Sequence, residues 1–177
     1  TEIKDFRQKF SLRDLVSEIQ SIVEPQLLEH SIQLQTNIPE DRKLFLNRSQ
    51  LAQVLLNLVK NAIDSISEFD GSERTVKINV SGDAEATLIE IADTGFGFDE
   101  AVRAQLFSQG FTTRVSGSGL GLHYCANAVN KAGGSISAVS DGYGSGATFR
   151  IRLPVQTKDN CQTGDHTKGK GVSNHVS

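Results

Sequence analysis

Gln53-Val54-Leu55-Leu56-Asn57-Leu58-Val59-Lys60-Asn61-Ala62-Ile63-Asp64 is the stretch around which the rest of the chain can be arranged. Residues three and four apart are neighbours on a helix, so Gln53, Asn57, Lys60, Asn61 and Asp64 share one face. The opposite face is aliphatic. The pattern extends from Ser49 to Glu68, with Asn47 or Ser49 as the cap and Leu51, Val54, Leu55, Leu58, Ala62 and Ile66 inward. Asparagine is a weak helix former, so two of them one turn apart are poor choices for solubility alone. Their amide oxygens suit a hard cation such as Mg²⁺, and Lys60 beside them suits a phosphate. A merely solvated face would use the same positions, and the stripe by itself leaves both readings open.

Working outward toward the start, Leu12, Leu15, Val16, Ile19, Ile22 and Val23 recur at helical spacing, with a kink expected near Pro25. Ile32, Leu34 and Ile38 alternate up to Pro39, and Leu44 with Leu46 makes a short second strand. Beyond the central helix, Asp70-Gly71 marks a turn. Val76, Ile78 and Val80 then alternate, as do Leu88 and Ile89 to Ile91 less strictly, giving a strand pair joined near Gly82 to Ala86. Asp93 to Gly121 is glycine-rich and irregular, and such long segments inside a compact domain are usually functional. Leu120 to Ala132 reads as a helix ended by Gly133-Gly134, followed by strands over Ser135 to Ser140 and Ala147 to Leu153. This order predicts a two-layer α/β sandwich, a mixed sheet with three main helices on one face.

At 177 residues the chain can bury one sizeable core. Residues 1–9 read as a remnant of an upstream segment, 10–154 as the domain, and 155–177 as a disordered polar tail. The net charge of -3 gives no basic stripe for nucleic acid, and no apolar run nears the ~20 residues that span a bilayer. Cys125 lies in an apolar helical pattern and Cys161 in the tail, which reads as two reduced thiols of a cytoplasmic protein.

Two further elements bear on chemistry. Asp93-Thr94-Gly95-Phe96-Gly97-Phe98 follows an apolar strand. An aspartate there can accept from an adenine amino group while the glycines admit the ring, although Asp and Gly also make plain turns. Gly117-Ser118-Gly119-Leu120-Gly121-Leu122 opens a helix whose first N–H groups can hold an anion. It is not a P-loop, because no Gly-Lys-Ser/Thr follows, nor does a buried strand precede it as in a dinucleotide site.

Taken in order, these elements resemble the GHKL ATPase superfamily with its Bergerat fold, and within it the catalytic domain of bacterial sensor histidine kinases. The N box resembles Asn57-x-x-x-Asn61-Ala62, and the first glycine box Asp93-Thr94-Gly95-Phe96-Gly97. The F box resembles Leu106-Phe107-Ser108-Gln109-Gly110-Phe111-Thr112-Thr113-Arg114, and the second glycine box Gly117 to Leu122. The resemblance covers about residues 10 to 154. It implies Asn61 and Asn57 as Mg²⁺ ligands, Asp93 on the adenine amino group, and Gly95, Gly97 and Phe98 bordering the ring. It implies a mobile ATP lid from Phe98 to Ser118, anchored by Phe107 and Phe111. Lys60 and Arg114 would approach the phosphates, with Asp64, Thr112, Thr113, Gly117, Gly119, Leu120, Gly121 and Thr148 in the nucleotide site. Asn57, Lys60 and Arg114 would carry catalysis. Two departures stand out: Asn47, where relatives often have Asp, and Ala147, where many have Thr.

The resemblance further implies transfer of the ATP γ-phosphoryl to a histidine on a dimerising helical hairpin, then to a response regulator. None of His30, His123, His166 and His175 is followed by the acidic residue usual after such an acceptor, so the hairpin is expected upstream of Thr1. This domain alone would be monomeric, and the intact kinase a homodimer that could reach the inner membrane. ATP-hydrolysing relatives and anti-sigma-factor serine kinases place a water- or hydroxyl-activating glutamate at Asn57, which an amide cannot replace. A nucleotide-binding sensor module without transfer remains the alternative.

Overall fold

The structure is a computed structural model describing residues 6–112 and 119–155. Its centre is the expected helix, α2 (Arg48–Ser67), whose cap is Asn47: the side-chain Oδ1 accepts from the N–H of Gln50 at 3.0 Å. Leu51, Val54, Leu55, Leu58, Val59, Ala62, Ile63 and Ile66 are buried, as the 3.6-residue period requires.

Helix α2 packs with α1 (Leu12–Glu29) and α4 (Gly121–Lys131) on one face of a five-stranded sheet. The strands are β2 (Gln33–Asn37), β4 (Thr75–Gly82), β5 (Ala86–Asp93), β6 (Ser135–Val139) and β7 (Ala147–Pro154), in the spatial order β2-β4-β5-β7-β6. Strand β2 is parallel to β4 and every other pairing is antiparallel. This is the mixed-sheet, two-layer α/β sandwich that the sequence predicts. Alternation sorts the strands cleanly. Val76, Ile78, Val80, Ile89, Ile91, Phe149, Ile151 and Leu153 are buried, while Lys77, Ser81, Arg150 and Arg152 are exposed on the other parity. Across that outer face Arg150 Nε donates to Glu90 Oε1 at 2.8 Å.

Several expectations change. Residues 8 and 9, read above as outside the domain, are ordered into it. They begin β1 (Gln8–Ser11), which pairs antiparallel with β3 (Lys43–Leu46) in a separate two-stranded ribbon. The apolar content there, one phenylalanine among polar residues, hides a strand whose partner lies over thirty residues away. Ile22 is half exposed because it sits off the stripe formed by Leu12, Leu15, Val16, Ile19, Val23 and Leu27. By contrast, α1 continues past Pro25 through Leu27 and Leu28 as expected; the carbonyl of Ser21 that loses its donor belongs to an exposed residue that water can reach. A one-turn helix, α3 (Glu100–Arg103), interrupts the segment expected to be irregular, capped by Asp99 Oδ1 on the N–H of Val102 at 2.9 Å. Val155 still donates to Glu85 O at 2.7 Å, whereas residues 156–177, with Cys161, His166 and His175, lie outside the described part.

The end of α4 is built as expected. Helix α4 closes on Gly133 at φ +80, with Gly133 N–H to Asn130 O and Gly134 N–H to Val129 O, the paired bonds of a Schellman motif. Cys125 is a free thiol with no exposure, 3.7 Å from Val54 O, and burial pushes its pKa up to about 11.

Candidate nucleotide pocket

Alternation along β5 ends with Asp93 pointing inward, beside Ala147 of β7 in register, so a carboxylate arrives at the helix-side edge of the sheet. It is only 7% exposed. Its Oδ1 accepts from the N–H of Gly95 at 2.9 Å and from Ser65 Oγ at 3.4 Å. Ser65 Oγ in turn accepts from the N–H of Phe96 at 3.0 Å. One hydroxyl of α2 thereby orients both the aspartate and the loop after it.

That loop can lie so close to α2 only without a side chain at residue 95. A Cβ on Gly95 would fall 2.3 Å from Ser65 Oγ and 2.8 Å from Ile66 N. The turn between β6 and β7 clamps it from the other side. Gly144 N–H donates to Phe96 O at 2.6 Å, Gly146 N–H to Gly95 O at 3.1 Å, and Phe98 N–H to Ser140 Oγ at 3.1 Å. Gly146, at φ +70, leaves no room for a Cβ, which would sit 1.9 Å from Asp93 O.

Around this corner lies a cavity of about 620 Å³. One wall is α2 and the sheet: Asn61, Ser65 and Glu68 at steps of four and three, then Asp93, Ala147 and Phe149. The other wall is loop: Phe96, Gly97, Phe98, Val102, Leu106, Phe111 and Thr112, closed by Tyr143 and by Gly119, Gly121 and Leu122 at the start of α4. The lining is aromatic and aliphatic with two carboxylates, Asp93 and Glu68. A flat ring carrying an amino group fits the first of these. The α4 end offers first-turn N–H groups that lack intrahelical partners. Along α2 the rise from Asn57 to Ser65 is roughly 12 Å at 1.5 Å per residue, which separates the aspartate end from the helix-start end.

Of the residues expected in the site, Asn61, Asp93, Gly97, Phe98, Thr112, Gly119 and Gly121 line the cavity. Gly95 supports it from behind. Asn57 lies one turn before Asn61 and already has partners: its Oδ1 accepts from Gln53 Nε2 at 2.9 Å, and its Nδ2 approaches Gly121 O at 3.5 Å. It ties α2 to the start of α4. Lys60, Asp64 and Leu120 are exposed and do not line the cavity. Thr148 is corrected: it is the outward-facing residue between Ala147 and Phe149, paired with Ala92 and Val139, so the pleat turns it away from the pocket. Thr113, Arg114 and Gly117 lie outside the described residues.

The expected lid does not begin at Phe98, which is buried with Leu106 in the core; the Phe98 and Phe107 rings stand edge-on to Phe149 at 6.5 and 6.4 Å. Ser65 escaped the sequence reading, though its place four residues after Asn61 was a usable signal. Tyr143 and Leu122 had none, since their placement depends on how the β6–β7 turn and α4 meet the loop.

No group of three or more His, Cys, Asp or Glu able to hold a metal occurs among the described residues. The amide oxygen of Asn61 is a donor of the kind a hard cation accepts.

Residues 46–157 match the family model described as histidine kinase-, DNA gyrase B- and HSP90-like ATPase. The sensor protein FixL of Bradyrhizobium diazoefficiens is 34% identical over 146 residues, covering 82% of this chain and 28% of that protein. The sensor histidine kinase ZraS of Escherichia coli is 31% identical over 168 residues, covering 81% and 35%. This chain therefore spans about a third or less of those relatives. The solved catalytic domain of histidine kinase ThkA superposes with a TM-score of 0.75 at 26% identity, over 84% of this chain and 95% of that one.

Proposed function

Because the chain belongs to the histidine kinase-, DNA gyrase B- and HSP90-like ATPase family, we propose that it is the ATP-binding catalytic domain of a two-component sensor histidine kinase. In this reading ATP lies along α2 with adenine at Asp93 and phosphates toward Asn61 and the start of α4. The observation that supports it most is the buried Asp93, held by Gly95 and Ser65 in a cavity walled largely by aromatic and aliphatic side chains. A carboxylate there can accept a further hydrogen bond, and an exocyclic amino group can donate one. Removing water strengthens that bond and makes it discriminating.

Mg²⁺ would be held by the amide oxygen of Asn61 together with phosphate oxygens, where it neutralises charge on the transferring group. Asn57 could join through the second lone pair of its Oδ1, the first being taken by Gln53. The domain's share of the chemistry is positioning and charge stabilisation. It supplies no base, because the acceptor imidazole of the helical hairpin is itself the nucleophile. Asn57 in place of a glutamate favours a kinase over a hydrolase, since an amide cannot take a proton from water. Arg114 and Lys60 would serve the phosphates. The dimerising hairpin, a response regulator and a cytoplasmic placement of this domain complete the proposal. No described helix is long and apolar enough to cross a membrane.

The test is calorimetric titration with a non-hydrolysable ATP analogue, with and without Mg²⁺, on wild type and Asp93→Asn. Losing one charged hydrogen bond costs about 1.5–3 kcal/mol, a loss of about ten- to a hundredfold in affinity. Label from γ-labelled ATP should then reach histidine on a supplied acceptor hairpin. Equal binding by Asp93→Asn would remove the adenine assignment, and binding without transfer would leave a nucleotide sensor.

A further inference from the structure

His123 stands in the first turn of α4, half-buried, and plays no part in the chemistry above. Its Nδ1 lies 3.0 Å from Phe107 O. A carbonyl can only accept, so Nδ1 carries the hydrogen. In the neutral ring Nε2 is then a lone pair, and Asn127, one turn further along α4, presents its Nδ2 to it at 3.0 Å. The two bonds are mutually consistent and fix one tautomer.

The carbonyl so held belongs to the loop wall of the pocket. Leu106 and Phe111, on either side of Phe107, line the cavity, and the Phe107 ring packs on Phe149. A second tie lies close by: Gly110 N–H donates to Gly119 O at 3.1 Å, and a Cβ on Gly119 would fall 2.4 Å from Gly110 C. Both ties join the F-box wall to the start of α4, and only the first depends on a replaceable side chain.

We infer that His123 is a positioning residue for nucleotide binding: by donating to Phe107 O while accepting from Asn127, it holds the wall from Leu106 to Phe111 against α4. This rests on the nucleotide reading of the pocket. The side chain touches no ligand, and its effect passes through the backbone it anchors.

Three variants separate this role from bulk packing. His123→Asn keeps an amide nitrogen two bonds from Cβ, where Nδ1 stood, and retains the donor. His123→Gln places its amide one atom further out, and His123→Leu has none. Titration with the ATP analogue should find His123→Asn within about twofold of wild type, and the other two weaker by about three- to tenfold, the scale of one neutral hydrogen bond. All are compared well below their melting temperatures. Independently, ¹⁵N spectra of the His123 ring should show the Nδ1–H tautomer, and Asn127→Leu should release it toward a mixture. An Nε2–H ring, or equal affinity across the three variants while Asp93→Asn still weakens binding, would overturn the inference and leave the pocket assignment standing. No nucleotide binding by wild type would overturn both.

Discussion

The two walls of the pocket are made differently. Asn61, Ser65, Asp93, Ala147 and Phe149 project from a 20-residue helix and two eight-residue strands, each fixed by a ladder of backbone bonds. The facing wall, Phe98 to Thr112 with Gly119, is joined to the rest by separate ties, among them, in the described residues, Phe98 N–H to Ser140 Oγ, His123 to Phe107 O, and Gly110 N–H to Gly119 O. In the proposed reading the group that discriminates the ligand stands on the stiff wall, and the surface that encloses it stands on the wall joined by separate bonds. Recognition needs a carboxylate placed to a fraction of an ångström, which a ladder provides. Enclosure needs surface that can adjust, and a ladder would prevent that.

Substitutions should reproduce this difference in order of size. Gly146→Val attacks the stiff side where it has no slack, because the new Cβ would overlap Asp93 O at a positive φ. It should cost more than about 2 kcal/mol of stability in urea or thermal unfolding. An unchanged midpoint would mean that the corner yields, and the comparison fails at its stronger end. Ser65→Ala removes the hydroxyl shared by Asp93 and Phe96 with little change in volume. It should weaken an adenine nucleotide by about three- to tenfold, and a nucleotide whose base lacks the 6-amino group by less. Equal losses for both would assign Ser65 to packing instead.

Phe107→Leu tests the loop wall. Losing one edge-on aromatic contact should cost about 1 kcal/mol of stability and shift nucleotide affinity by less than about threefold. A larger affinity loss would show that this wall, too, discriminates. The smallest effect lies away from both walls, at the start of α1. There Lys43 and then Ser11 and the N–H of Arg13 bond the carboxylate of Asp41, lowering its pKa from 3.8 to about 2. The folded state holds this proton less tightly than the unfolded one. Its small contribution is complete above pH 4 and fades as pH falls from about 4 to about 2. Asp41→Asn should flatten the acid limb of a stability–pH curve in that window without moving nucleotide affinity.

The same contrast explains what could be read from the sequence. Asn61 and Asp93 were legible as candidates because each sits in a periodic element, although a solvated face for the first and a plain turn for the second fitted the same pattern. Asn47 was legible as a cap because it precedes such an element. Thr148 was misplaced through attention to its motif when its own strand's alternation pointed it outward. Strand β1 was missed because its pairing with β3 is non-local, and four residues with one phenylalanine carry no period. Ser65 and His123 act through single bonds to backbone of distant segments, and no spacing rule encodes a contact made after folding. Lys60 and Asp64 share the face of Asn61 in a helical projection, yet the cavity takes only the residues at steps of four and three beyond it.

The one-sided sheet has a consequence for descent. The central strands β4, β5 and β7 each interleave two texts. Alternate letters answer to the core and the pocket, as Ile89, Ile91 and Phe149 do, and the letters between them answer to water, as Lys77, Arg150 and Arg152 do. The second text can be rewritten over generations with little effect on folding, so kinship between such domains should persist in every other position long after whole-strand identity has faded. A superposition as close as that with the ThkA domain, at 26% identity, is what such half-erased inheritance produces.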